Sequence, residues 1–109
     1  MSTQAFGPRG NTCNISCTST ASTPIQITSA PNNQFTYQFI NTGSSKVYFG
    51  YGRDPGTTVT IPVPGTPANG VCVLPNEIVI YNLLPNVYIS AICETGGTTN
   101  LLVTPGEGM

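Results

Sequence analysis

The sequence predicts an all-β fold: a single sandwich or jelly-roll-like domain of about eight short antiparallel strands with an extended N-terminal arm. Three observations support this prediction. Short apolar runs alternate with polar residues at a period of two, which is the side-chain period of a strand. The 12 glycines and 10 prolines stand between those runs as breaks. No window keeps apolar residues at helical spacing without an interrupting Pro, Gly or β-branched cluster.

The clearest strand signal lies in the middle of the chain. Residues 34–41 alternate aromatic with other side chains, which predicts a strand with one aromatic face. That face consists of Phe35, Tyr37 and Phe39. Residues 46–51 repeat the alternation and place Val47, Phe49 and Tyr51 on one side. Because the intervening residues 42–45 are turn formers, we predict that the two strands form a hairpin.

The other predicted strands are shorter, and proline, glycine or turn residues bound them. They cover residues 23–28, 57–61, 70–75, 77–83, 87–94 and 99–104. Pro85 and Asn86 form a turn pair in which the proline ring presets φ. With the central pair, the strands follow one another at the spacing expected of a sandwich or barrel.

The first thirty residues differ in composition from the rest. Ser, Thr, Asn and Cys dominate, and few apolar side chains are available as anchors. These anchors are Phe6, Ile15, Ile25 and Ile27. Such a segment buries too little apolar surface to offset its own chain entropy. We therefore predict an N-terminal arm over residues 1–30, with room for a first edge strand, that orders on a neighbour or attaches loosely, and a sandwich domain over residues 31–109.

Charged side chains are scarce. Three Lys and Arg stand against four Asp and Glu, for a net charge of −1. Without a basic cluster we expect neither nucleic-acid binding nor a polybasic membrane anchor. Residues 1–10 show no secretory signal and no apolar run is long enough to cross a bilayer, so we expect assembly in a cytoplasm. A small domain with so little charge tends to associate.

The residue types offer little catalytic chemistry. Histidine is absent, which removes the commonest general base and zinc ligand. The spacing of Cys13, Cys17, Cys72 and Cys93 does not match a zinc site. We predict that Cys72 and Cys93 are buried core thiols and that Cys13 and Cys17 lie nearer the surface. The sequence does not decide whether Cys13 and Cys17 form a disulfide. We therefore expect no enzyme activity, no metal and no cofactor.

The acidic residues have structural interpretations of their own. Asp54, within Gly-Arg-Asp-Pro-Gly, invites comparison with an integrin-type or sugar-binding tip, but the same residues are typical of a turn, which we predict. Glu77 and Glu94 stand at strand ends, where charges discourage further pairing. Residue type leaves a glycosidase pair open, yet nothing in the sequence brings the two carboxylates together.

Four segments resemble small β-rich structural proteins of tailed bacteriophages. They are residues 39–52 (FINTGSSKVYFGYG), 74–80 (LPNEIVI), 87–92 (VYISAI) and 102–109 (LVTPGEGM). The shared order is a strand ending in Asn-x-Gly-Ser, a Val-Tyr-Val-like strand, a Pro-x-Glu turn, a strand ending in Ala-Ile, and Thr-Pro-Gly-Glu-Gly. The resemblance spans residues 34–109 and rests on strand and turn patterns. It implies a virion component, a head decoration or cement protein on the capsid exterior that is assembled in the host cytoplasm.

The resemblance also implies partners. These are the major capsid protein and further copies of this chain, as a dimer or trimer, with no nucleic acid and no membrane. The predicted partner-binding residues are Phe6 as an apolar anchor, Arg9 as the partner of an acidic group, Ile15, Tyr48 and Tyr51. Tyrosine brings contact area and a hydroxyl at low entropic cost. The alternative function is a receptor- or carbohydrate-binding module of a phage fibre or tail that uses the Tyr-rich loops.

Overall fold

The structure, a computed structural model, describes residues 6–28 and 36–107. Within them it confirms the all-β prediction, with nine strands and no helix. The strands are β1 (Gly7–Pro8), β2 (Cys13–Cys17), β3 (Ile25–Gln26), β4 (Thr36–Asn41), β5 (Val47–Gly52), β6 (Val71–Val73), β7 (Ile78–Asn82), β8 (Tyr88–Cys93) and β9 (Thr99–Glu107). The described part of the chain has no helix that could cross a membrane.

All strand pairs are antiparallel, and they form two sheets of a β-sandwich. In sheet A, β9 pairs with β1 and β2 along one edge and with β4 along the other, and β4 then pairs with β7. Sheet B has the order β3-β8-β5-β6. Most connections carry the chain from one sheet to the other, so neighbours in sequence mostly face each other across the core.

The predicted hairpin of the two central strands is wrong. Strand β4 lies in sheet A and β5 lies in sheet B, so they do not pair. Their apolar faces meet across the core instead, where the Phe39 and Phe49 rings stack at 4.2 Å with an interplanar angle of 11°. The stacked rings remove apolar surface of both strands from water and join the two sheets.

The core contains the faces that the alternation predicted. Tyr37 and Phe39 of β4 and Val47 and Phe49 of β5 are fully buried. The Tyr51 side chain lies on the same face of β5 as Val47 and Phe49, but it remains 45% exposed because it stands at the end of the strand. Phe35 lies outside the described residues. Other buried apolar side chains of the core include Val73, Val87, Ile89, Ala91, Cys93, Leu101 and Val103.

Residues 57–61 form a loop, which corrects the strand predicted there. This loop covers the outer face of sheet B, where Val59 is buried. The Thr60 N–H donates to Asn69 Oδ1 at 2.8 Å, and Asn69 Nδ2 donates to Thr58 O at 2.7 Å. A Cβ on Gly50 would overlap the Thr58 carbonyl oxygen, so the glycine is what allows the loop to lie this close. The Asn69 side-chain amide and the Gly70 N–H, which donates to Thr60 O at 3.0 Å, therefore take the place of a strand partner.

Much of the predicted arm belongs to the sandwich. Strand β2 pairs along its whole length with residues 99–103 of β9, and Ile15, Cys17 and Ile27 are buried in the core. The apolar side chains Ile15 and Ile27 of this segment therefore pack against the same chain. The predicted boundary at residue 30 lies outside the described residues.

Candidate functional site: the outer face and open edge of sheet A

Phe6 and Arg9 contact their own chain. The Arg9 guanidinium forms an ion pair with Glu107, and its backbone N–H donates to Pro105 O at 2.8 Å. Phe6 lies over Gly106, where a Cβ would stand 2.6 Å from its ring. The acidic partner foreseen for Arg9 is therefore present within the sandwich, and Phe6 is half-buried.

The other predicted partner-binding residues lie elsewhere. Ile15 is buried in the core, because β2 pairs with β9, and so it offers no side chain to a partner. Tyr48 is half-buried on the outer face of sheet B beside Cys72. Tyr51 is exposed at the end of β5. The five residues do not meet in one site, and a binding role for the four that reach the surface stays a prediction.

The four carboxylates are held by nearby groups. Asp54 forms the predicted turn, where Oδ1 accepts the Gly56 N–H at 3.0 Å. Glu77 Oε1 accepts the Leu74 N–H at 2.8 Å. Glu94 lies 3.8 Å from Lys46 Nζ, and Glu107 pairs with Arg9. Residues 6–28 and 36–107 contain no group of three Cys, Asp or Glu side chains that could hold a metal ion.

The structure revises the assignment of the cysteines. Cys93 is buried as predicted, but Cys17 is only 1% exposed and Cys72 is half-buried. Burial raises the pKa of the Cys17 thiol to about 12, and the nearby Cys93 thiol adds to the rise. Cys13 and Cys17 are four residues apart on one strand, roughly 13 Å. Because a disulfide needs Cα atoms within about 7 Å, these two cannot be bridged.

We expect thiol labelling of the native protein at neutral pH to separate the cysteines into two classes. Cys13 and Cys72 react first because they are partly exposed, whereas Cys17 and Cys93 react only when the sandwich opens. Mass spectrometry of peptides after timed maleimide treatment measures this directly. A Cys13→Ser/Cys72→Ser double variant serves as the control and loses the fast phase. Fast modification of Cys17 in folded protein would contradict the prediction.

Two open clefts lie between strands and loops. One of about 470 Å³ lies between residues 10–13 and 26–28, and one of about 420 Å³ lies between residues 16–18, 42–44 and 98–100. Their linings are mainly Thr, Ser, Asn and Gly, with no aromatic side chain and no carboxylate. Small-molecule sites are usually lined by hydrophobic and aromatic side chains around a few polar groups. Neither cleft has that lining.

The outer face of sheet A carries an apolar patch. The strand register places Ile78 of β7, Ile40 of β4 and Leu102 of β9 in one row, with Ile80 two residues along β7. We call Ile40, Ile78, Ile80 and Leu102 the apolar patch. Ile78 is 60% exposed and the other three are half-buried. The outward neighbours are uncharged, namely Asn14, Gln38, Asn82, Asn100 and Thr104.

Beside the patch, β7 forms an open edge. Within the described residues β7 pairs only with β4. The Asn41 N–H donates to Glu77 O at 3.1 Å, so the carbonyl of Glu77 faces β4. Because this direction alternates along a strand, Ile78, Ile80 and Asn82 present their N–H and C=O groups to the open edge. Strand β7 lacks the residues that usually protect an edge strand from further pairing, because it contains no Pro, no Lys and no other charged residue.

The chain matches no protein-family model, no curated protein and no solved structure. The described residues form a small β-sandwich in which the apolar patch on the outer face of sheet A lies beside an edge strand, β7, that pairs there only with β4. Function is therefore inferred from that surface and from the sequence patterns.

Proposed function

We propose that this protein is a structural virion protein of a tailed bacteriophage that decorates the head shell and binds the major capsid protein through the apolar patch. The observation that carries the proposal is the row of Ile78, Ile40 and Leu102 on one uncharged sheet face. An exposed apolar patch with a neutral polar rim suits contact with another protein. The resemblance of residues 34–109 to phage structural proteins supports the choice of assembly.

The charge distribution supports a protein partner. Arg9 pairs with Glu107 and Lys46 lies near Glu94, so two of the three basic side chains are balanced on the same molecule. With three basic residues and a net charge of −1, the chain has no basic cluster of the kind that attracts phosphate or an anionic membrane. Contact through neutral side chains makes shell binding only weakly dependent on salt, unlike binding to nucleic acid.

The test is co-sedimentation with head shells prepared without this protein. An Ile40→Thr/Leu102→Thr double variant replaces two patch side chains with a smaller β-branched residue, and we expect about tenfold weaker binding or more because apolar contact area is lost. Val63→Thr is the matched control, since Val63 is 55% exposed outside the apolar patch, in the turn whose Thr66 N–H donates to Val63 O. Thermal unfolding verifies that both variants are folded.

Two outcomes would overturn the proposal. One is wild-type protein that does not bind shells. The other is a folded double variant that binds as tightly as wild type and as Val63→Thr. Binding to a glycan array in the absence of shell binding would favour the receptor- or carbohydrate-binding module instead.

A further inference from the structure

We propose that two copies of this chain associate by antiparallel pairing of β7 with β7 across a two-fold axis, which joins their A sheets into one continuous sheet. The proposal is independent of shell binding because it is argued from the β7 edge alone. The partner that binds this edge is a second copy of the chain. The contact consists of backbone hydrogen bonds on the side of β7 that faces away from β4.

The backbone directions select one register. Ile78, Ile80 and Asn82 turn their N–H and C=O groups to the edge, so they are the residues able to form hydrogen-bonded pairs with another strand. A two-fold axis at Ile80 pairs all three, with Ile80 opposite Ile80 of the second copy and Ile78 opposite Asn82. Shifting the register by two residues loses one of these pairs. The longest ladder therefore places the axis at Ile80.

The edge is electrostatically suited to its own copy. Strand β7 is uncharged, and the nearest charged residue in sequence is Glu77, just before the strand. In the Ile80 register the two Glu77 residues stand six positions apart, roughly 20 Å, which is beyond the screening length of about 8 Å at physiological salt. Two identical edges therefore meet without repulsion between like charges.

Other edges of the sandwich are less suited to this pairing. Strands β3 and β6 have only two and three residues, too few for an extended ladder. Strand β2, which pairs only with β9 in the described part of the chain, turns two exposed polar side chains, Asn14 and Ser16, to the outer face, so pairing there would join no apolar surface. Pairing at β7 also places the apolar patches of both copies side by side on one continuous face. The dimer therefore presents twice the apolar patch area of a single copy on one face.

The experiment uses charge at the two-fold axis. In the predicted register, Ile80→Lys places two lysines opposite each other and Ile80→Glu places two glutamates opposite each other, so each variant alone dissociates at least about a hundredfold more readily than wild type. An equimolar mixture of the two restores the dimer, because lysine then faces glutamate. Sedimentation velocity of the full chain under reducing conditions, over a wide concentration range, measures all three samples.

Ser16→Lys is the matched control, since it adds the same charge to the outer face of the opposite edge strand and leaves the dimer intact. Far-UV circular dichroism verifies folding of each variant. Wild-type dimer, monomeric single variants and recovery in the mixture support the proposal. A monomeric wild type, a dimer unaffected by either charge, or a mixture that stays monomeric overturns it. Because shell binding is measured separately, either proposal can fail without the other.

Discussion

Replacing Phe49 with alanine lowers the free energy of unfolding by about 3–5 kcal/mol, the usual cost of removing a fully buried aromatic side chain. Phe49 is fully buried, and its ring stacks on Phe39 at 4.2 Å, so one contact joins sheet B to sheet A. Tyr81 lies 5.9 Å from both rings. Alanine leaves a cavity at this junction that the neighbouring strands cannot fill. Urea unfolding followed by far-UV circular dichroism measures the loss.

The control for this prediction is Tyr51→Ala in the same strand. Tyr51 faces the same side as Phe49 but is 45% exposed, so its removal costs far less. A double-mutant cycle with Phe39→Leu isolates the stacking term, for which we expect a coupling of about 0.5–1.5 kcal/mol. If Phe49→Ala and Tyr51→Ala lowered stability equally, the stacked pair would not be the junction between the sheets.

Replacing Asn41 with alanine lowers the free energy of unfolding by about 4 kcal/mol, because several buried groups lose their hydrogen-bond partner together. Asn41 is fully buried at the end of β4. Its Nδ2 donates to Ser45 O at 2.8 Å and to Val73 O at 3.0 Å. Its Oδ1 accepts from the Gly43 N–H at 3.1 Å and from Thr99 Oγ1 at 2.7 Å. One amide thus joins the turn after β4 to strands of both sheets.

Asn100→Ala, at an exposed position of β9, is the control for the loss of an amide and should change stability little. Asn41→Asp tests the donor side of the network. The aspartate would face two carbonyl oxygens away from water, so its pKa in the folded state rises above the unfolded value near 3.9. A raised folded pKa gives stability that is present at low pH and lost as pH rises. The variant should therefore be more stable at pH 4 than at pH 7 relative to wild type. A flat difference over this range would contradict the buried network.

The local patterns determined the fold class and much of the core. Alternation in residues 34–41 and 46–51 identified the inward faces of β4 and β5, because the direction of a side chain along a strand depends only on its own period of two. The Asp54 turn was predictable for a similar reason, since its hydrogen bonds run between residues close in sequence. The apolar patch is visible in sequence only as alternate positions of separate strands.

Only the tertiary structure decided which strands pair and what they cover. The residues after Asn41 predicted a turn, but a turn does not determine whether the next strand pairs edge to edge or crosses to the facing sheet. Cys17 is buried because β2 pairs with β9, a strand more than eighty residues away in sequence. The role of Asn41 depends on Val73 and Thr99, which no local pattern brings to it. These outcomes were set by burying apolar faces and satisfying buried polar groups over the whole chain at once, and that balance has no short sequence signature.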